Sequence, residues 1–388
     1  MNPIKILLKL NQISYIILIV HSTCSLPENS RIYIHYIATE EGQRNDNVQK
    51  HVHQKQTVVL HMHLSQEELA NRTNVLYNNI RTTVREAITM AKADAMNLLE
   101  FQRMFSTEEA CEKYLFEKRW PEGFKCPKCG HGEYYYIRTR KLYECKECSY
   151  QASVTAGTVM HRSKLDLAVW FWTIYLVSND KRGRSALSIS EVLDLNYRTA
   201  WRLLHKIRHA MSERDANYQL AGFVEMDDAY FGAPRPGTDG RGSTKAKVAI
   251  ALSTDEEGHP LYTRMKVITA VSTNEIKKVA EECIKKGSTI SSDGHSSYKR
   301  LKENYTHKSQ NYYESDTEEF LKWLHVIIGN AKTYILGTYH GLDDKFLQAY
   351  LDEFCYRFNR RFKPKQLFGR LLNACAFGTH YIVPEPSA

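Results

Sequence analysis

Two sets of side chains in this sequence have the types and spacing to hold metal ions. The first is sulfur. Cys126 and Cys129 form one C-x-x-C pair, Cys145 and Cys148 form a second, and fifteen residues (130–144) lie between them. Within that interval Tyr134, Tyr135, Tyr136 and Ile137, then Leu142 and Tyr143, predict a hairpin. Two knuckles held apart by a hairpin bring four thiolates to the corners of a tetrahedron, the geometry Zn²⁺ favours, and a closed set of four sulfurs makes such a metal structural. A pair of redox dithiols is the competing reading; a single C-x-x-C would leave it open, whereas two at this spacing favour zinc. The remaining cysteines (Cys24, Cys111, Cys283, Cys355, Cys375) are scattered among apolar or helical stretches. That is no disulfide framework, and it points to a reducing compartment.

The second set is oxygen. A strand pattern from Phe223 ends in Asp227 and Asp228, and a Gly/Pro-rich loop follows. Residues 247–253 and 261–269 then read as two strands, Ser272 and Glu275 as a capping box, and 289–292 as a short strand ending in Asp293. Three consecutive strands, a helix and a further strand is the ribonuclease-H-like order, in which the first and fourth strands are neighbours. Asp227 and Asp293, 66 residues apart, would then share one site. Two like charges so close call for a cation, and oxygen-only ligation suits Mg²⁺ or Mn²⁺. Either acid alone reads better as a cap or a surface charge.

The elements around these sets are basic. Lys and Arg number 53 against 44 Asp and Glu, a net charge of +9 that favours a polyanionic partner. Residues 118–148 hold eight basic and four acidic side chains with tyrosines interleaved. Residues 181–212 hold seven basic against two acidic and read as short helices, the last beginning near Asn196. Arg198, Arg202 and Lys206, four apart, fall on one face of it, as in a helix-turn-helix that inserts its second helix into the major groove; an ordinary helical hairpin is the alternative. A helix expected over 345–370 carries seven basic residues, of which Arg360 and Arg361 read as phosphate contacts.

The organisation expected is therefore a multidomain α+β and α/β chain. An N-terminal extension (1–95) precedes a zinc ribbon (96–160), a helical helix-turn-helix segment (161–215) and a ribonuclease-H-like catalytic core (220–375). In the extension, His51 and His53, and His61 and His63, lie two apart and read as polar strand faces, and Ser65 with Glu68 opens a helix through Ala95. Residues 1–25, with Lys5, Lys9 and the apolar run 13–20, resemble a secretory signal, but the run is too short to span a membrane. The reading adopted is an intracellular, DNA-associated protein without a membrane.

From Met96 to about Leu372 the chain resembles a DDE-type insertion-sequence transposase with an N-terminal zinc ribbon, a group related to the eukaryotic Merlin elements. The stretches that carry the likeness include Cys126-Pro127-Lys128-Cys129, Thr199-Ala200-Trp201-Arg202, Glu225-Met226-Asp227-Asp228, Ser292-Asp293-Gly294 and Gly329-Asn330-Ala331-Lys332. The resemblance implies a structural zinc, catalytic Mg²⁺ or Mn²⁺, and double-stranded DNA as partner, both the element's terminal inverted repeats and its target. It also implies a homo-oligomer in the synaptic complex. Asp227 becomes the first catalytic residue and Asp293 the second. The third, a Glu or Asn on a later helix with Lys two residues on, maps to Asn330 and Lys332. Gly329-Asn330 reads as the start of that helix, letting both side chains reach one phosphate; Glu318 or Glu319 as third ligand is the competing assignment. A DNA-binding regulator or a domesticated remnant with an inert nuclease core is the rival function.

The knuckle pair has a direct test. Cys129→Ser should release a single structural zinc and unfold residues 118–150, because folding of such a unit depends on its metal. Elemental analysis and circular dichroism of the pure protein check it, and an intact ribbon without zinc would refute it.

Overall fold

The computed structural model describes residues 96–232, 245–310, 320–340 and 342–384, and the backbone of four strands within 4–63. The chain divides into two compact units, Met1–Ala91 and Lys92–Ala388. In the first, β1 (Ile4–Lys9) pairs antiparallel with β2 (Tyr15–Val20), and β3 (Arg31–Ile37) with β4 (Thr57–His63). The signal-like apolar run thus lies largely in a strand, and His61 and His63 fall on β4 as expected. His51, His53 and the helix expected over 65–95 lie outside the described residues.

The second unit begins with α1 (Leu98–Met104) and α2 (Glu108–Arg119), followed by a three-stranded ribbon sheet, β5 (Tyr134–Ile137), β6 (Leu142–Cys145) and β7 (Gln151–Ala152). Helices α3 (Leu167–Asn179), α4 (Ala186–Val192) and α5 (Tyr197–Ala216) come next. Asp166 makes no side-chain cap to α3; instead Glu108 of α2 accepts from the amides of Leu167 and Ala168, each at 3.0 Å, and locks the two helices together. Ribbon, α3 and α5 share one hydrophobic core.

The main sheet contains β8 (Phe223–Phe231), β9 (Ala246–Thr254), β10 (Pro260–Ile268), β11 (Thr289–Asp293) and β12 (Thr306–Gln310), in the order β10-β9-β8-β11-β12. β8, β9 and β10 are antiparallel neighbours, while β11 is parallel to β8 and to β12. The expected adjacency of first and fourth strands is present. Strand alternation sends Val224 and Met226 of β8 to one side, against Ile276 and Val279 of α6 (Thr273–Cys283). Ala229 and Phe231 point the other way, against α7 (Lys322–Thr338) and α8 (Leu347–Phe358). On α7 the buried positions Leu324, Ile327, Ile328, Ala331, Tyr334 and Ile335 recur at helical spacing and form one apolar stripe.

The single helix expected over 345–370 is two. α8 stops at Phe358, a turn follows, Pro364 opens a short 3-10 segment, and α9 (Leu367–Phe377) continues. Proline lacks the amide a helix interior needs, which explains the break. α9 packs in the core of the ribbon and α3, not on the sheet.

A buried ion pair ties α5 to α8. Arg208 donates to Glu353 at 2.8 Å with both side chains 2% exposed, Arg357 donates to the same carboxylate, and Arg208 stacks on Tyr350 at 3.9 Å. Between α3 and α4, Gly183 adopts φ +83° where a Cβ would collide with the hydroxyls of Tyr334 and Tyr339, so the loop can press onto α7 only through glycine. Glu353→Ala leaves two buried guanidinium groups without their carboxylate and should cost about 3–5 kcal/mol. Urea unfolding measures this, and a loss below about 1 kcal/mol would contradict the role given to the pair.

Candidate active site and zinc centre

The ribbon gathers its four sulfurs as the spacing predicts. The Sγ atoms of Cys126, Cys129, Cys145 and Cys148 all lie within 4.8 Å of one another, with Cys126–Cys148 at 3.6 Å and Cys129–Cys145 at 3.5 Å. Two equivalent turns shape the cluster. Gly130 donates its amide to the Cys126 carbonyl, Ser149 does the same to Cys145, and both turn residues have positive φ. Behind the sulfurs, Phe116, Trp120, Phe124, Tyr134 and Tyr143 form an aromatic cluster. Buried Glu112 of α2 accepts from the hydroxyls of Tyr136 and Tyr143, each at 2.9 Å, and fixes the hairpin to the helix. Four thiolates in a closed, supported cage fit a structural zinc.

The carboxylates converge through the sheet. Ser292 of β11 pairs with Met226 of β8 in parallel register, so the residues that follow them, Asp293 and Asp227, are adjacent and on the same face. This is the face that α7 covers. Asp228 points to the opposite face, where its carboxylate accepts from the Tyr298 hydroxyl at 3.2 Å. The Asp227 carboxyl is pushed up to about 6 chiefly by burial, with the charges of Asp228 and Asp293 adding to the shift; the Asp228 amide and His325 oppose it. A buried carboxyl beside further acids is a donor set short of a positive charge, so the residues present fit a divalent cation. They are not gathered as tightly as the thiolates, which are the one such group of three or more among the described residues.

Helix α7 differs from expectation. Gly329 and Asn330 do not start it but lie in its interior. The helix begins at Lys322, after Leu321 at φ 54°, with no side-chain cap of its own. Its N-terminal amide at Leu324 is taken by Glu225, two residues before Asp227 on the same sheet face. In a continuous helix Asn330 and Lys332 are about 160° apart around the axis, so the expectation that both reach one phosphate is corrected. Lys332 sits over the Phe231 ring at 5.8 Å, at the end of β8. Asn330 is exposed. Glu318 and Glu319 lie outside the described residues. Sequence reasoning missed His325, whose Nε2 is 3.4 Å from Asp227 Oδ2. The available signal was its spacing of seven residues, two helical turns, from Lys332.

The basic residues divide by environment. α4 and α5 are joined by a turn with Asp194 at φ 50°, and Asn196 caps α5 by accepting from the Arg198 amide at 2.9 Å. Arg198 and Arg202 are exposed on α5, whereas Lys206 is half-buried above Trp170 at 6.0 Å. Arg360 and Arg361 hold the fold. Arg360 donates to Asp215 at 2.7 Å and stacks on Tyr356, and Arg361 donates to the carbonyls of Leu261 and Phe358 while stacked between Phe358 and Phe362. Those guanidinium groups are engaged inside the protein, which corrects their reading as cations held ready for phosphate. No helix among the described residues is long and apolar enough to cross a membrane.

Residues 219–359 match the ISXO2-like transposase domain, and residues 106–151 match the transposase zinc-ribbon domain. The two matches enclose the acid pair, α7 and all four zinc-ribbon cysteines. Against curated proteins the chain has no significant match.

Relieving the carboxylate repulsion should stabilise the metal-free protein. An acid raised from 3.8 to about 6 destabilises the fold once it ionises, so the cost is absent below pH 4 and complete above about 6. Asp227→Asn should therefore gain up to about 3 kcal/mol at pH 8 in chelator and almost nothing at pH 4. Thermal melts at the two pH values decide it; equal shifts at both would be inconsistent with this origin.

Proposed function

We propose, for a chain whose matched domains are those of a DDE insertion-sequence transposase with an N-terminal zinc ribbon, that it binds the ends of its own element, hydrolyses a phosphodiester there, and joins the freed 3′-hydroxyl to target DNA. The observation that carries the reading is the pairing of Asp227 and Asp293 on one face of adjacent parallel strands, in a ribonuclease-H-like order of strands. Mg²⁺ or Mn²⁺ bound there supplies an activated water or hydroxyl and stabilises the leaving oxygen.

The protein's own groups have separable tasks. Asp227 and Asp293 hold the cations, and burial of Asp227 raises the incentive to bind them. Lys332, on the flank of α7 over the end of β8, meets a phosphate. Asn330 is the family's third position and enters as a separate arm of the test. Arg198 and Arg202 on α5 and the basic ribbon contact duplex DNA, chiefly through its backbone, with Lys206 contributing where α5 leaves the core. A second copy of the chain completes the synapsis of two ends.

Cleavage of duplex carrying the terminal repeats that flank the gene tests this. Activity should require Mg²⁺ or Mn²⁺, and Asp227→Asn or Asp293→Asn should each lower it on the order of a thousandfold while leaving end binding intact. Arg198→Ala with Arg202→Ala should weaken end binding and flatten its salt dependence. Tight end binding with no cleavage in either metal would establish the regulator reading instead.

A further inference from the structure

We propose that His325 is the third metal-binding side chain of the active site, supplying an imidazole nitrogen beside Asp227. The inference rests on the reading that Asp227 and Asp293 hold divalent cations, and it moves the third position from Asn330 to a residue five places earlier.

Three observations converge on it. The first is contact: His325 Nε2 lies 3.4 Å from Asp227 Oδ2, and the imidazole remains 48% exposed, open to the solvent side of the site. The second is the seating of α7. Glu225 on β8 accepts from the Leu324 amide at the start of the helix, and Lys332 covers Phe231 at the end of β8. The helix therefore runs along β8 in the same direction as the strand, and the flank above Asp227 is fixed at two points. The third is which residues share that flank. His325, Gly329 and Lys332 lie within about 60° of one another around the axis, whereas Asn330 is about 140° from His325. A Cβ added at Gly329 would meet nothing within 4 Å, so the space between the imidazole and the ammonium is open. An imidazole at one end, an ammonium at the other and Asp227 beneath make a groove suited to a cation and the phosphate it polarises.

The donor set then becomes two carboxylates and one nitrogen. Imidazole is a poor ligand for Mg²⁺ and a good one for transition metals, so the site should favour Mn²⁺. Neutral nitrogen in place of a third carboxylate also removes one negative charge from an already crowded acid cluster.

The test is pulsed electron paramagnetic resonance of tag-free, zinc-loaded full-length protein with Mn²⁺, alongside titration of the free-Mn²⁺ signal. Wild type should show ¹⁴N modulation from a coordinated imidazole. His325→Ala should lose the modulation and weaken Mn²⁺ binding by at least the roughly 10–100-fold that outer metal partners contribute. His325→Glu should regain affinity without the modulation and bind Mg²⁺ better than wild type, and Asn330→Ala should change neither property. Mn²⁺ that binds through Asp227, lost in Asp227→Asn, but shows no ¹⁴N modulation would overturn the His325 assignment and leave the acid pair standing. Modulation that persists in His325→Ala would also overturn it. Absence of Mn²⁺ binding in wild type, or binding indifferent to Asp227→Asn, would overturn the underlying reading as well.

Discussion

The parallel pairing of β8 with β11 constrains everything around the acids. Direct neighbours in a parallel pair share a face, and Ser292 opposite Met226 places Asp293 beside Asp227. A slip of one residue would send one acid to the far side, among Ile276, Val279 and Tyr298, and separate the pair. The apolar residues guard against that slip. Ile290, Val224 and Met226 are buried in the α6-side core, and the energy of their burial is lost in any other register. Hydrophobic alternation thus holds two mutually repelling carboxylates together in the absence of a cation.

The helix that completes the site is seated by a different force. α7 has no cap in its own sequence, so its N-terminal amides depend on Glu225 from the strand. Burial raises the Glu225 carboxyl, a stabilising cap made at a cost, and one of its oxygens has no hydrogen-bond partner. Glu108 does the same for α3 from α2. In both places a carboxylate from one element satisfies the start of another, which sets the rotation of the helix about its axis as well as its position. For α7 that rotation decides which side chains face Asp227.

The DNA-facing and catalytic parts are joined by the Arg208–Glu353 pair and by the return of α9 to the ribbon core. An ion pair so deeply buried contributes little net stability compared with apolar packing, but it penalises any arrangement that separates its partners. α5, whose exposed face carries Arg198 and Arg202, is thereby held to α8, which packs on the same sheet face as the acids. Arg357 extends the joint by donating to the Asp180 carbonyl in the loop before α4 at 2.9 Å.

The zinc ligands and the acid pair were legible in the chain alone, because C-x-x-C spacing and the order of strands are local patterns with few geometric solutions. The capping serine of α6, Ser272, was legible for the same reason, since a cap involves neighbours in sequence. Three features were decided only by tertiary structure. Asn330 falls inside a helix because the apolar stripe from Leu324 to Ile335 continues through Gly329. Arg360 and Arg361, basic and near aromatics in the sequence, turn inward because Asp215 and the carbonyls of β10 come within reach only in the folded state. His325 meets Asp227 across nearly a hundred residues of chain. Periodicity shows that a helix has faces, but which face meets a distant strand follows from the packing and capping that seat it.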